Sequence, residues 1–116
     1  MVALPNQAIG EIDVETLAQR LPDESLQLID VREPQEVAIA ALPHFTLLPL
    51  SQFADWADSI HSRFEADAET IVMCHHGMRS AQMCQWLTQQ GFSNVKNLTG
   101  GIDAYACKVD PTIGRY

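Results

Sequence analysis

Thr70-Ile71-Val72-Met73-Cys74-His75-His76-Gly77-Met78-Arg79-Ser80 is the stretch from which the rest of the chain can be read. Thr70 to Met73 have the β-branched, apolar character of a short strand covered on both faces. Cys74 opens a tight loop, Arg79 closes it, and a helix is expected from Ser80. A cysteine where a strand ends and a helix begins is well placed to be a nucleophile. It reacts as the thiolate, so its surroundings must favour negative charge. The helix start turns backbone N–H groups and the positive end of its dipole toward the loop. Arg79 adds a permanent cation, and His75 and His76 add charge at lower pH. Gly77 permits a positive φ or a close backbone approach to a ligand. Six residues curling from Cys74 to Arg79 suit a ring of N–H donors, a cradle for a small anion or for a charged sulfur on the cysteine itself. The competing reading is an inert buried cysteine, since free cysteine is often buried. The strand, cysteine, glycine, arginine and helix in succession favour the reactive one.

Working outward, strands and helices alternate. Ala8 to Ile12 reads as a strand and Asp13 as the N-cap of a helix with Val14, Leu17, Ala18 and Leu21 at helical spacing. Pro22 to Ser25 makes a turn. Leu26 to Val31 is a mostly apolar second strand, and Pro34 suits the first turn of a helix continuing to Ala41. Leu42-Pro43-His44 breaks the chain. Phe45 to Pro49 is a short third strand, with Pro49 pointing to a sheet edge. Ser51 is expected to cap a helix whose stripe of Phe53, Trp56, Ala57 and Ile60 reads as core. After the loop, a helix from Ser80 to Gln90 carries Ala81, Cys84 and Leu87, with Gly91 as its C-cap. Val95 to Leu98 is the fifth strand. Gly100-Gly101 leads into a short helix at Ile102 to Ala106, and Cys107 to Tyr116 shows no pattern. The alternation predicts an α/β fold: a five-stranded, mainly parallel sheet flanked by helices on both faces, in one domain over residues 8–116 with a flexible end over 1–7. Functional loops then lie at the C-terminal ends of strands. Cys74 and the Asp30-Val31-Arg32 segment both sit at such ends and are expected to meet in space. Asp30 and Arg32 have two open readings from position alone, polar loop residues or groups facing the ligand crevice.

Composition limits the partners. The 116 residues suit one domain, and 47% are apolar, enough for one core. A net charge of −8 with only seven Lys and Arg disfavours nucleic acid and anionic membrane. No apolar run approaches the roughly 20 residues of a membrane helix. Met1 to Gln7 lacks the basic and apolar regions of a secretory signal. Three cysteines (Cys74, Cys84 and Cys107) form no disulfide framework. The chain is therefore expected to be soluble and cytoplasmic.

Three segments carry a resemblance. Cys74-His75-His76-Gly77-Met78-Arg79-Ser80 resembles the active-site loop of the rhodanese family of sulfurtransferases. Asp30-Val31-Arg32-Glu33-Pro34 is similar to that family's signature after the second strand. Asn97-Leu98-Thr99-Gly100-Gly101-Ile102-Asp103-Ala104-Tyr105 resembles its closing Gly-Gly segment. They occur in the family's order, and with the spacing between them cover nearly the whole chain. The resemblance implies a rhodanese-like sheet and a Cys74 that takes the outer sulfur of a donor and holds it as a persulfide. The backbone N–H groups of His75, His76, Gly77, Met78, Arg79 and Ser80 would stabilise the persulfide, Arg79 would bind an anionic donor, and Asp30 and Arg32 would brace the loop. The donor would be a small anion such as thiosulfate or a protein persulfide, and the acceptor a thiol or a cyanide-like thiophile. No cofactor is implied beyond the covalent persulfide.

Two departures stand out. Ala38 to His44 replaces the family's Gly-His-Ile-Pro-Gly-Ala stretch, leaving the path to the third strand open, and Tyr105 replaces the usual tryptophan. Phosphatases and arsenate reductases of similar fold place five residues between cysteine and arginine. Four intervene here, which suits a sulfane sulfur better than a tetrahedral oxyanion. A small phosphatase or arsenate reductase, and a catalytically quiet binding or regulatory module, remain the alternatives. The high negative charge offers little attraction to free anionic donors and points to a protein-bound persulfide as donor. No metal site is expected, because adjacent residues in one tight loop rarely supply several tetrahedral ligands. Cys84 is expected in the core, with a resolving role toward Cys74 as the alternative.

Overall fold

Five short strands gather into one sheet, and the most apolar of them occupy its middle. In the computed structural model, which describes residues 9–116, they are β1 (Gly10–Ile12), β2 (Gln27–Asp30), β3 (Thr46–Leu47), β4 (Thr70–Met73) and β5 (Val95–Leu98). Their order is β1-β5-β4-β2-β3, and every neighbouring pair is parallel. All four residues of central β4 are buried. The flexible end expected over 1–7, and Ala8, lie outside the described residues.

The strand period of two divides the core. Ile29 and Val72, paired in register, face one side with Val31 and Cys74. Leu28, Ile71, Met73 and Leu98 face the other. Helices α1 (Val14–Arg20) and α6 (Gly101–Lys108) cover the second side through Val14, Leu17, Ile102 and Tyr105. The first side is covered by α3 (Phe53–Trp56), α4 (Ile60–Arg63) and α5 (Met78–Gln89), through Trp56, Ile60, Met83, Cys84 and Leu87. The remaining helix, α2 (Pro34–Val37), follows β2.

Several local expectations hold. Asp13 caps α1 by accepting a hydrogen bond from the Thr16 N–H at 2.7 Å. Gly91, with φ of +96°, ends α5: its N–H reaches the Thr88 carbonyl while that of Phe92 reaches Leu87, and both aromatic and leucine join one core. Others are corrected. The helix after Pro34 stops at Val37 rather than Ala41; it buries none of its own side chains, whereas Ala40 and Leu42 are drawn into the core beyond it. Ser51 does not cap a helix. It lies inside a 3-10 turn, Leu50–Gln52, and both its N–H and its hydroxyl donate to the distant Glu33 carboxylate. The helix expected from Ser51 is split by a second 3-10 turn at Ala57–Ser59. Trp56 and Ile60 are core as expected, while Phe53 stays partly exposed against the edges of Trp56 and Trp86. Helix α5 starts at Met78, two residues before Ser80, because Gly77 serves as N-cap at φ +109°.

Candidate functional site

The loop from Cys74 to Arg79 is shaped from behind by α6. The carbonyls of Cys74 and His75 accept hydrogen bonds from the N–H groups of Ile102 (2.9 Å) and Asp103 (3.1 Å), at the first turn of α6. Gly101 makes this approach possible: a Cβ there would stand 2.3 Å from the His75 oxygen and 2.5 Å from that of Cys74. With these carbonyls engaged by α6, the loop's N–H groups are left to face other partners. Gly77 donates its N–H to Cys74 Sγ at 3.0 Å. The N–H groups of His75, His76, Met78, Arg79 and Ser80 donate to no protein atom among the described residues. Those of Met78, Arg79 and Ser80 are the open donors of the first turn of α5, at the positive end of its dipole.

Cys74 itself is 1% exposed. Its sulfur lies 3.3 Å from Ser80 Oγ, which is 2.5 Å from Asn97 Oδ1. Asn97, on β5, also donates its Nδ2 to the Gly77 carbonyl at 3.0 Å. It thus ties β5 to both the glycine cap and the serine. The Ser80 hydroxyl carries one proton. It can direct that proton to Asn97 while Cys74 is a thiol, or to the sulfur when Cys74 is a thiolate. The same three groups therefore accommodate both protonation states without moving the backbone.

A second layer of paired charges surrounds the loop. The Arg79 guanidinium grips Glu36 at 2.7 and 2.8 Å, and these bonds hold the Glu36 carboxyl down at about 2. The same pairing raises Arg79 above its ordinary range. Arg32, fully buried, donates to Asp30 through Nε at 3.0 Å and through a terminal nitrogen at 2.8 Å. Its other terminal nitrogen donates to the Tyr116 hydroxyl (3.1 Å), which in turn donates to Glu36 Oε1 (3.0 Å). The Tyr116 ring stacks on His75 with centroids 3.9 Å apart. Asp30 and Arg32 make no hydrogen bond to residues 74–80. They reach the loop through Tyr116 and Glu36.

His75 lies under this ring with Nε2 buried and without a partner among the described residues. Burial, followed by the neighbouring His76, lowers its pKa and so disfavours a cation beside the sulfur. His76 Nδ1 lies 3.8 Å from Asp103, which accepts from Arg115 Nε at 3.0 Å. Met78 is exposed at the mouth of the loop. Burial pushes the Cys84 thiol up to about 12, leaving it protonated and ill suited to a resolving role. Cys107 is exposed and free.

Sequence reasoning singles out neither Glu36, Asn97 nor Tyr116 as site residues. Glu36 carries a local signal, three residues after Glu33 in a capping box whose reciprocal bonds the structure contains. Asn97 is a buried polar residue on β5, next to Lys96, and sequence alone does not tell its buried amide from the half-exposed lysine. Tyr116 lies in the patternless tail, and only the fold brings it to His75.

The sequence profile of the Rhodanese-like domain matches residues 13–108. The chain is 46% identical over 114 residues to the Arabidopsis thaliana "Rhodanese-like/PpiC domain-containing protein 12, chloroplastic". That alignment covers 95% of this chain but only 38% of the plant protein, so the chain spans about two fifths of that relative's length. It is 39% identical over 99 residues to a protein of Allochromatium vinosum named "Sulfurtransferase", covering 84% of this chain and 89% of the relative. A crystal structure of a rhodanese-like domain protein from Staphylococcus aureus superposes with a TM-score of 0.72 at 26% identity, covering 84% of this chain and 91% of that one. Profile, relatives and fold agree, and the chain belongs to the rhodanese-like family.

Proposed function

We propose that the chain is a sulfurtransferase that carries a sulfane sulfur as a persulfide on Cys74. One observation carries the reading: Cys74 Sγ sits at the floor of a loop that gives it the Gly77 N–H at 3.0 Å and keeps five further N–H groups unpaired among the described residues. The thiolate attacks the outer sulfur of a donor. The donor's S–S or S–S(O) bond breaks, and its electron pair leaves on a thiol or, from thiosulfate, on sulfite. The outer sulfur of the resulting Cys74 persulfide carries one negative charge, and an N–H ring spreads such a charge over several donors. An acceptor thiolate or cyanide then attacks that outer sulfur, and the electron pair of the broken bond returns to Cys74.

Within this reading the N–H groups of residues 75–80 bind the transferred sulfur, Ser80 hydrogen-bonds the cysteine sulfur, and Asn97 orients Ser80. Asp30 and Arg32 act at a distance, through Tyr116 and Glu36. No cofactor is required, because the cysteine itself carries the group. The free state of Cys74, Cys84 and Cys107 supports a reducing, cytoplasm-like setting. The shorter loop, with four residues between Cys74 and Arg79, supports sulfur transfer over the phosphatase alternative.

The experiment is thiocyanate formation from thiosulfate and cyanide by the wild type and by Cys74→Ser. Wild type forms thiocyanate and the variant forms none. Thiocyanate formation that survives the substitution refutes the persulfide mechanism, and turnover of an aryl phosphate without thiocyanate replaces it with the phosphatase.

A further inference from the structure

We propose that Glu36 sets the choice of sulfur donor, turning the Cys74 cradle toward hydropersulfides and away from dianions such as thiosulfate. The inference rests on the sulfur-transfer reading above and names the donor class that the same site takes.

Arg79 is the one arginine in the loop, and its charge is already answered. Both of its terminal nitrogens bind Glu36, and the carboxylate is fixed by more than that pair. Oε2 also accepts the Glu33 N–H at 2.8 Å, and Oε1 also accepts the Tyr116 hydroxyl at 3.0 Å. Four donors hold two oxygens, so Glu36 cannot swing aside for an incoming anion without breaking its own cap and its bond to Tyr116. The other arginines of this region are likewise paired, Arg32 with Asp30 and Arg115 with Asp103. Burial disfavours a charge on His75. What the cradle offers, among the described residues, is a set of N–H dipoles with no free guanidinium.

That inventory suits one negative charge. An N–H ring at a helix start holds a monoanionic sulfur, but a dianion must shed the hydration of a second charge, and a fixed carboxylate stands beside it. A hydropersulfide, RS–SH, brings one charge or none. Its reaction balances without any oxidant: Cys74–S⁻ attacks the outer sulfur, the RS–S bond breaks, and RS⁻ leaves with the electron pair. RS⁻ takes the proton that the outer sulfur gives up, yielding RSH and Cys74–S–S⁻. The charge in the cradle is one unit before and after the step, the condition the paired arginine is built for.

The test measures Cys74 loading by mass, as the gain of one sulfur, with no acceptor present. Thiosulfate and 2-hydroxyethyl hydropersulfide, whose carbon chain carries no charge, are the donors, used with wild type and Glu36→Gln at fixed ionic strength. The glutamine side chain keeps an oxygen for Arg79 and removes the charge. Loading by thiosulfate should rise roughly tenfold, the scale of one charge acting on a dianion across several ångströms of wet protein. Loading by the hydropersulfide should stay within about threefold, since little charge is there to respond. A second comparison needs no variant: wild type should load faster from methanethiosulfonate, a monoanion, than from thiosulfate. An unchanged donor ratio in Glu36→Gln, or thiosulfate matching the monoanion on wild type, overturns the role of Glu36 while leaving sulfur transfer intact. If wild type gains sulfur from none of these donors, the sulfur-transfer reading itself falls.

Discussion

Replacing Gly101 by alanine should be among the most damaging single changes in this chain. Gly101 has φ of +62°, where an L side chain costs about 1–2 kcal/mol. The new Cβ would stand 2.3 Å from the His75 oxygen and 2.5 Å from the Cys74 oxygen. Both are backbone atoms, so the loop must retreat by roughly 1 Å to restore ordinary contact. That movement loosens the hydrogen bonds from Ile102 to Cys74 (2.9 Å) and from Asp103 to His75 (3.1 Å), worth about 1 kcal/mol each. The sum is roughly 3–4 kcal/mol, or a fall in Tm of about 12–16 °C for a domain of this size. Gly91→Ala supplies the control. Gly91 also has a positive φ, +96°, but nothing lies within 4 Å of its Cβ position. It should therefore cost only the backbone strain, about 1–2 kcal/mol. Thermal and urea denaturation of both variants give the comparison, with sulfur loading of Cys74 as the functional readout. Equal losses in the two variants would refute the claim that close approach to the loop is what requires glycine at 101.

Ser80→Ala removes the hydroxyl 3.3 Å from Cys74 Sγ and strips Asn97 Oδ1 of its buried donor. It should cost about 1–3 kcal/mol and slow persulfide formation by roughly tenfold; unchanged stability together with unchanged loading would remove Ser80 from the site. Glu69 is a second carboxyl held down at about 2, chiefly by hydrogen bonds from Arg20 at 2.7 and 2.6 Å, with Lys96 adding to them. Its folded value lies below the 4.5 of a free glutamate, so the folded state binds fewer protons. The stability it adds is complete above that value and drains away as pH falls toward 2. Tm measured from about pH 6 down to about pH 2 should drop less steeply in Glu69→Gln than in wild type, and identical slopes would mean the pairing adds nothing.

The sheet is legible in the sequence because short segments with apolar residues alternate with helical stripes, most plainly at β2 and β4. β4 falls where β-branched residues cluster, and β5 is bounded by its apolar ends, Val95 and Leu98. The loop is legible because cysteine, glycine and arginine each carry local chemistry. What escapes are contacts made across long separations. Ser51 looks like a helix cap, yet its hydroxyl is taken by Glu33, eighteen residues earlier. Arg79 reads as a free cation until Glu36, forty-three residues away, closes on it. No local pattern announces that a tail tyrosine will stack on His75 and bridge Arg32 to Glu36. The start of α5 escapes for a different reason: Gly77 reads as a turn, and the left-handed residue of that turn is also the helix cap.

The parallel order β1-β5-β4-β2-β3 governs when this site can come into being. β4 and its loop precede in the chain the atoms that orient the loop. Asn97 arrives with β5, and the amides of Ile102 and Asp103 only with α6. β5 is also the strand that unites β1 with β4, since Gly10 pairs with Lys96 while Ile71 pairs with the same residue from the other side. Such long-range pairing closes slowly, after most of the chain has left the ribosome. A chain that ends between this loop and α6 carries the cysteine but not the amides that hold its loop from behind. The nucleophile thus precedes the groups that orient its loop, and a correctly shaped loop is also a marker that β5 has closed between β1 and β4.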